Sequence, residues 1–201
     1  MSLQKKLPAE ERRIATIEAV VELAAEQNPS GITTAAIAER MGLTQGAIFR
    51  HFPNKEAILH AAMKWAAERL MLKIETAIEK EKSPICALEK MFMAHVKFVM
   101  AHPGIPRMLF GELQNAKESA AKHMAQTLIQ HYREKVQQLI ERGKSSGEID
   151  SGLDVEAAST LFVGMMQGLI MQSLIAGNVK YIKRDAPKIF TIYRKAIEAK
   201  S

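Results

Sequence analysis

Apolar residues recur every three or four positions along this chain, and nowhere do apolar and polar residues alternate as in a half-buried strand. The pattern predicts an all-α chain of about nine helices. The first covers 9–27, with Ile14, Ile17, Val21 and Ala24 on one face, and stops at Asn28-Pro29-Ser30-Gly31. Two short helices follow at 34–41 and 45–51, then a long one at 55–81. Ser83-Pro84 opens a fifth, which ends near His102 because Pro103 disfavours helix in the residue before it. Pro106 opens a short helix to Leu113, and another covers 117–145. Asp154 caps the eighth, which runs to Ala176 with Gly177 just past its end. Asp185 and Pro187 open the last, over 186–199, with Ile189, Phe190, Tyr193 and Ile197 as one stripe.

The segment 31–59 departs most from an ordinary helical pattern. Ile37, Ala38 and Met41 give one short apolar face, Gly42 breaks it, and Ala47, Ile48 and Phe52 give a second. Two short helices around a glycine turn form the unit that sets its second helix in a DNA major groove. Between Met41 and Lys55 there is no Asp or Glu, while Arg50 and Lys55 are basic, as an approach to phosphates requires. Thr44 sits where a cap belongs, and Gln45 is the first exposed position of the second helix, where its amide can pair with adenine. Gly46 permits either close approach to DNA or close packing between helices. Phe49 can lie on a sugar or a thymine methyl, and Arg50 can reach a base or a phosphate. His51 is either a phosphate donor or a helix cap. Thr34 and Lys55 are further phosphate contacts. Lys5, Lys6, Arg12 and Arg13 form either a basic arm or a solvated tail diluted by Glu10 and Glu11.

The order and spacing of Thr33, Ile37, Ala38, Gly42, Thr44, Gly46, Ile48, Phe49, His51, Phe52, Lys55 and Leu59 resembles the N-terminal segment of the TetR family of bacterial repressors. The resemblance covers under a fifth of the chain, and Phe49 departs from the commoner tyrosine. It implies a DNA-binding domain over 1–54 and a larger ligand-binding and dimerising domain over 55–201. It also implies that His51 donates to a phosphate, and that the last two helices pair with those of a second subunit.

Composition narrows the function classes. The net charge of +6 does not come from the DNA-reading region: residues 1–60 hold seven Lys+Arg and seven Asp+Glu, and the whole excess lies in 61–201. The argument for double-stranded DNA as partner therefore rests on local placement. Cys86 is the only cysteine, which excludes an internal disulfide and fits a reducing cytoplasm. No apolar run reaches the length of a membrane span, and the first residues lack the apolar core of a secretory signal, so no membrane association is expected. The chain lacks a nucleophile elbow, P-loop, HExxH and dinucleotide fingerprint, so neither an enzyme nor a cofactor is expected.

The C-terminal two-thirds offer two further candidate sites. Met91, His95, Phe98, Phe110, Met124 and Met165 are either a cavity for a small apolar or aromatic effector or ordinary core. His95 and His102 lie seven apart, farther than the usual histidine pair of a zinc motif, and no carboxylate pattern accompanies them, so no metal is expected. Arg107 could meet an acidic head group or be a surface cation. The helix over 161–177 is apolar almost all round. Its Gly164 and Gly168 face one side, and with Met171, Phe190 and Tyr193 they predict a homodimer interface. The readings are a ligand-responsive repressor on a roughly palindromic operator, or a DNA-bound organiser that recruits a protein, as some TetR-like proteins do in cell division.

Overall fold

The computed structural model describes residues 8–114, 116 and 118–199. Lys5 and Lys6 of the expected arm, and Lys117 at the expected start of the seventh helix, lie outside them. The described residues form nine α-helices: α1 (Ala9–Glu26), α2 (Thr34–Arg40), α3 (Gln45–Phe49), α4 (Lys55–Ile78), α5 (Pro84–Ala101), α6 (Gly104–Leu113), α7 (Ala120–Ser146), α8 (Val155–Ile175) and α9 (Lys180–Ile197). A single 3-10 turn, Pro29–Gly31, follows α1, where Asn28 Oδ1 accepts from the Ser30 amide at 3.1 Å. Among the described residues the only β pairing is an isolated bridge between Ile149 and Glu198.

Several boundaries are set by side-chain caps. Thr33 Oγ1 accepts from the Ala36 amide at 3.1 Å, Asn54 Oδ1 from Ala57 at 2.8 Å, and Asp154 Oδ1 from Ala157 at 3.0 Å. Gly177 ends α8 with φ +63°, a left-handed conformation that glycine adopts without steric cost. Three starts differ from expectation, among them α7, which begins at Ala120 rather than 117. α6 begins at Gly104 rather than Pro106, and α9 begins at Lys180, six residues before the expected 186. Pro187 lies inside α9. Asn178 Oδ1 accepts from the Lys180 amide and starts the helix there, and the missing proline donor falls on an exposed side where water can satisfy the freed carbonyl.

The chain forms two compact units, and neither follows the expected boundary at 54. One comprises residues up to Glu68 together with His102–Ala125; the other comprises Arg69–Ala101 and the chain from Gln126 onward. In the first, α1 packs on α2 and α6, and α2 on α3. Its core includes Val20, Ala24, Ile37, Ile48, Phe52 and Ile58, all within a few per cent of full burial. The first half of α4 belongs here because Ile58, Ala62 and Met63 are buried in it. α6 joins because Gly104 lets its start abut α1: a Cβ there would fall on the Val21 carbonyl oxygen. Arg107 Nη1 also donates to the Ala25 carbonyl at 2.9 Å, so this cation ties α6 to the end of α1.

In the second unit α5 packs on α8 and α9, and those two pack on each other. Phe92, Phe162, Phe190 and Tyr193 form its centre, with ring centroids 5.4–6.5 Å apart. Burying each such ring stabilises the fold by about 1.5–3 kcal/mol. α8 has the length and composition of a membrane span, yet Phe162, Met166, Leu169 and Ile170 along it are packed inside this unit. Gly104→Ala is expected to lower stability by about 1–3 kcal/mol, because backbone rather than a movable side chain blocks the new methyl. Urea unfolding measures this, and an unchanged midpoint would show that α6 can shift off α1 freely.

Candidate nucleic-acid interface

The turn between α2 and α3 depends on Gly42. Its φ of +62° lets the chain reverse, while its amide donates to the Glu39 carbonyl and that of Leu43 to Ala38. α3 then emerges with Ile48 buried, and Phe52, just beyond its end, is buried as well. With those side chains held inside, Thr44, Gln45, Gly46, Phe49 and Arg50 are exposed together. Phe49 keeps 46% of its surface accessible, a large apolar exposure that an apolar contact on DNA would cover. Gly46 has no neighbour within 4 Å of where a Cβ would stand, so its smallness serves nothing inside this chain. Thr44 occupies the capping position, but its hydroxyl does not cap α3 as expected. The Ala47 amide meets the Thr44 carbonyl instead, at 3.0 Å.

Two basic residues behave differently from the sequence expectation. Arg13 is neither arm nor solvated tail: Nη1 donates to the His51 carbonyl at 2.7 Å, and its guanidinium lies 4.6 Å from the Phe52 ring centroid. It closes the end of α3 from below. The signal was available in its spacing, since Arg13 shares a face of α1 with buried Ile17 and Val20. Lys55 does not project freely; Nζ donates to the Ser30 carbonyl at 2.8 Å, and partial burial holds its pKa below the usual lysine value. Arg40 is paired with Glu22 and Glu26 on α1. Thr34 and His51 are both half-buried, at the margins of the reading face.

The six residues expected around an effector divide between the units: Met91, His95, Phe98 and Met165 fall in the second, Phe110 and Met124 in the first. Met91 and Phe98 are buried in core, and His95 and Met165 are half-buried. His95 Nδ1 lies 3.4 Å from the Tyr132 hydroxyl, and the rings approach to 5.4 Å. Desolvation lowers the His95 pKa to about 4 and raises that of Tyr132. His102 is in the other unit, edge-on to Trp65 at 5.2 Å.

The expected interface residues also separate. Phe190 and Tyr193 face the interior of the second unit, where the Tyr193 hydroxyl donates to the Ala158 carbonyl at 3.0 Å. They cannot meet a second subunit, because α9 turns its polar-flanked opposite face outward. That face exposes Tyr181 and Ile192, the latter 70% accessible. On α8 the outward stripe includes Leu161, Gly164, Gly168, Met171 and Ile175, and Ile175 is 80% accessible. Neither glycine has a neighbour within 4 Å of where a Cβ would stand, so the face is open at both.

A histidine neutral in the folded chain down to about pH 4 ordinarily takes its proton near 6.5 when unfolded. The unfolded chain therefore binds more protons as pH falls through that window, and stability present above it is progressively lost, by at most roughly 3 kcal/mol. His95→Leu is expected to flatten the pH dependence of urea unfolding between about pH 7 and pH 5. A variant with the wild-type slope would count against a desolvated His95.

Comparison with known proteins agrees with this architecture. Residues 17–62 match the family described as "Bacterial regulatory proteins, tetR family", and residues 81–171 match "Tetracyclin repressor-like, C-terminal domain". The chain is similar to the nucleoid occlusion factor SlmA of Marinobacter nauticus, 28% identical over 143 residues that make up 71% of each chain. Its fold is similar to that of the ketosteroid transcriptional regulator KstR2 of Mycobacterium tuberculosis, with TM-score 0.76, 17% identity, and coverage of 94% of this chain and 96% of that one. A structure described as "Molecular basis for control of antibiotic production by a bacterial hormones" gives TM-score 0.81 at 20% identity, covering 94% and 98%.

Proposed function

Because this chain belongs to the TetR family of bacterial regulatory proteins, we propose that it acts as a homodimeric repressor released from a roughly palindromic operator by a small apolar or aromatic effector. The observation that carries this reading is the set Gln45, Gly46, Phe49 and Arg50, held outward beside Thr44 by the buried Ile48 and Phe52. Gln45 reads a base, with a bidentate contact to adenine as the fitting chemistry. Thr44, Arg50, His51, Thr34 and Lys55 contact the backbone and set register. Lys55 does so by releasing the Ser30 carbonyl.

A single helix in one groove gives a small footprint, so specific affinity calls for two copies. The outward stripe of α8 and α9 supports pairing by a two-fold axis, which buries Ile175 and Ile192 against a second copy. The two reader helices then sit about 34 Å apart, one turn of DNA. The effector region is proposed at His95 with Met91, Phe98 and Met165; Phe110 and Met124, in the other unit, are left out of it. A neutral histidine beside a tyrosine hydroxyl suits an uncharged polar group on an otherwise apolar molecule. Such a molecule lowers operator affinity only if it binds one conformation better than the other.

A second reading, a DNA-bound organiser that recruits a protein partner, is favoured by two observations. The curated relative is named a nucleoid occlusion factor, and the aromatic centre of the second unit is closely packed. A thermal-shift screen of apolar and aromatic molecules, followed by mobility shifts, separates the readings: stabilising molecules that release DNA support the repressor, and their absence supports the organiser.

Selection from a random DNA pool is expected to return an inverted repeat. Gln45→Ala is then expected to relax preference at one position per half-site, costing about 1–3 kcal/mol there. Equal weakening at every position would remove Gln45 from base reading. Gly168→Leu, whose Cβ would have no neighbour within 4 Å in its own chain, is expected to shift sedimentation toward monomer at micromolar concentration. A dimer of unchanged affinity would place the interface elsewhere.

A further inference from the structure

The first unit contains a hollow of about 240 Å³ that the DNA-reading face does not use. Apolar groups from three helices and the 3-10 turn line it, chiefly Leu59, Met63, Met108 and Ala121. Lys55 is the cation in its wall. The lysine stem reaches in from the start of α4, and its ammonium donates to the Ser30 carbonyl. Among the described residues no carboxylate lies within ion-pair distance of it. A partly desolvated cation without an anion, beside an apolar surface, is electrostatically incomplete. Glu112, the other charged group of the lining, is turned to the Ser119 hydroxyl, which donates to it, on the side shared with a neighbouring hollow.

We propose that this hollow binds an amphipathic monocarboxylate, with its carboxylate on Lys55 and its hydrocarbon body over Met63 and Met108. The volume is just below the roughly 300–1,000 Å³ of drug-sized sites, which selects a short chain or a single ring. Methionines at 4–5% exposure adapt to either body. The consequence is competition for one ammonium: Lys55 is the residue that the family motif offers to a DNA phosphate, and it cannot serve the ligand and DNA together. The inference rests on the DNA-binding reading but is independent of the effector region at His95.

Gly111 makes the site testable without touching the DNA face. It lines the hollow on α6, and nothing stands within 4 Å of where its Cβ would be, so Gly111→Leu fills the space without a clash in its own backbone surroundings. Calorimetry on the full chain without DNA, using octanoate, octanol and octylamine, reads the site directly. Octanoate is expected to bind about tenfold or more tightly than octanol, the difference one charge-assisted contact supplies. Octylamine is expected to be weaker still. Lys55→Met should bring octanoate down to the level of octanol, and Gly111→Leu should abolish binding of all three. On the DNA recovered by selection, octanoate should weaken binding of the wild type and leave Gly111→Leu unaffected. Octanoate that fails to bind, binds no better than octanol, binds Gly111→Leu unchanged, or leaves wild-type DNA affinity unchanged overturns the proposal. Failure of the ligand-free protein to bind any selected DNA would instead overturn the DNA-binding reading.

Discussion

A helix of five residues has no stability of its own in water, because its first turn costs more conformational freedom than one hydrogen bond returns. Everything α3 can do to DNA therefore depends on what fixes it from beneath. Ile48 and Phe52 supply the apolar anchor, and Gly42 supplies the reversal that aims the helix outward. Arg13 completes the support by binding the His51 carbonyl and covering the Phe52 ring, a contact worth about 0.5–1 kcal/mol if exposed and more where water is excluded. The outward side chains then share one rigid frame. Base reading needs that frame, since hydrogen bonds to base edges tolerate little angular error.

α8 meets a different constraint, that of a helix with more apolar surface than one side can bury. Its inner residues complete the aromatic centre of the second unit, while Leu161, Met171 and Ile175 stay exposed along its outer side. The polar interruptions Gln167 and Gln172 are both exposed. A surface of this kind is stable in water when another copy covers it, and a two-fold pairing there would bring two reading heads to one operator.

Legibility in the sequence followed the locality of the signal. The cap at Asp154 and the glycines at 42 and 177 act within four residues and each marked its boundary, whereas Thr44 stands at its boundary without capping it through the hydroxyl. The motif 31–59 is likewise local, and it placed the outward residues of α3. What required the third dimension was less visible. The stripe Ile189, Phe190, Tyr193 and Ile197 does lie on one side of α9, but periodicity alone does not say whether a face meets its own core or a partner. Phe190 and Tyr193 meet the core. Arg13, Arg107 and Lys55 all carry charge, and composition assigns such residues to solvent. Each instead donates to a main-chain carbonyl remote in sequence, at His51, Ala25 and Ser30. Pro187 misplaced the start of α9 because a proline inside a helix is tolerated where its missing bond faces water.

The abutment of α6 on α1 has a consequence in time. During synthesis the segments that read DNA leave the ribosome first, yet the unit containing them is not whole until His102–Ala125 has followed. At about 5–20 residues per second that is a delay of several seconds in which α1 lacks the helix that covers it. The reading motif is thus complete in the nascent chain before the helix that covers α1 has been made, and α5 of the second unit is made in between. A truncated product ending before α6 would carry the whole reading motif and still lack the surface that steadies it.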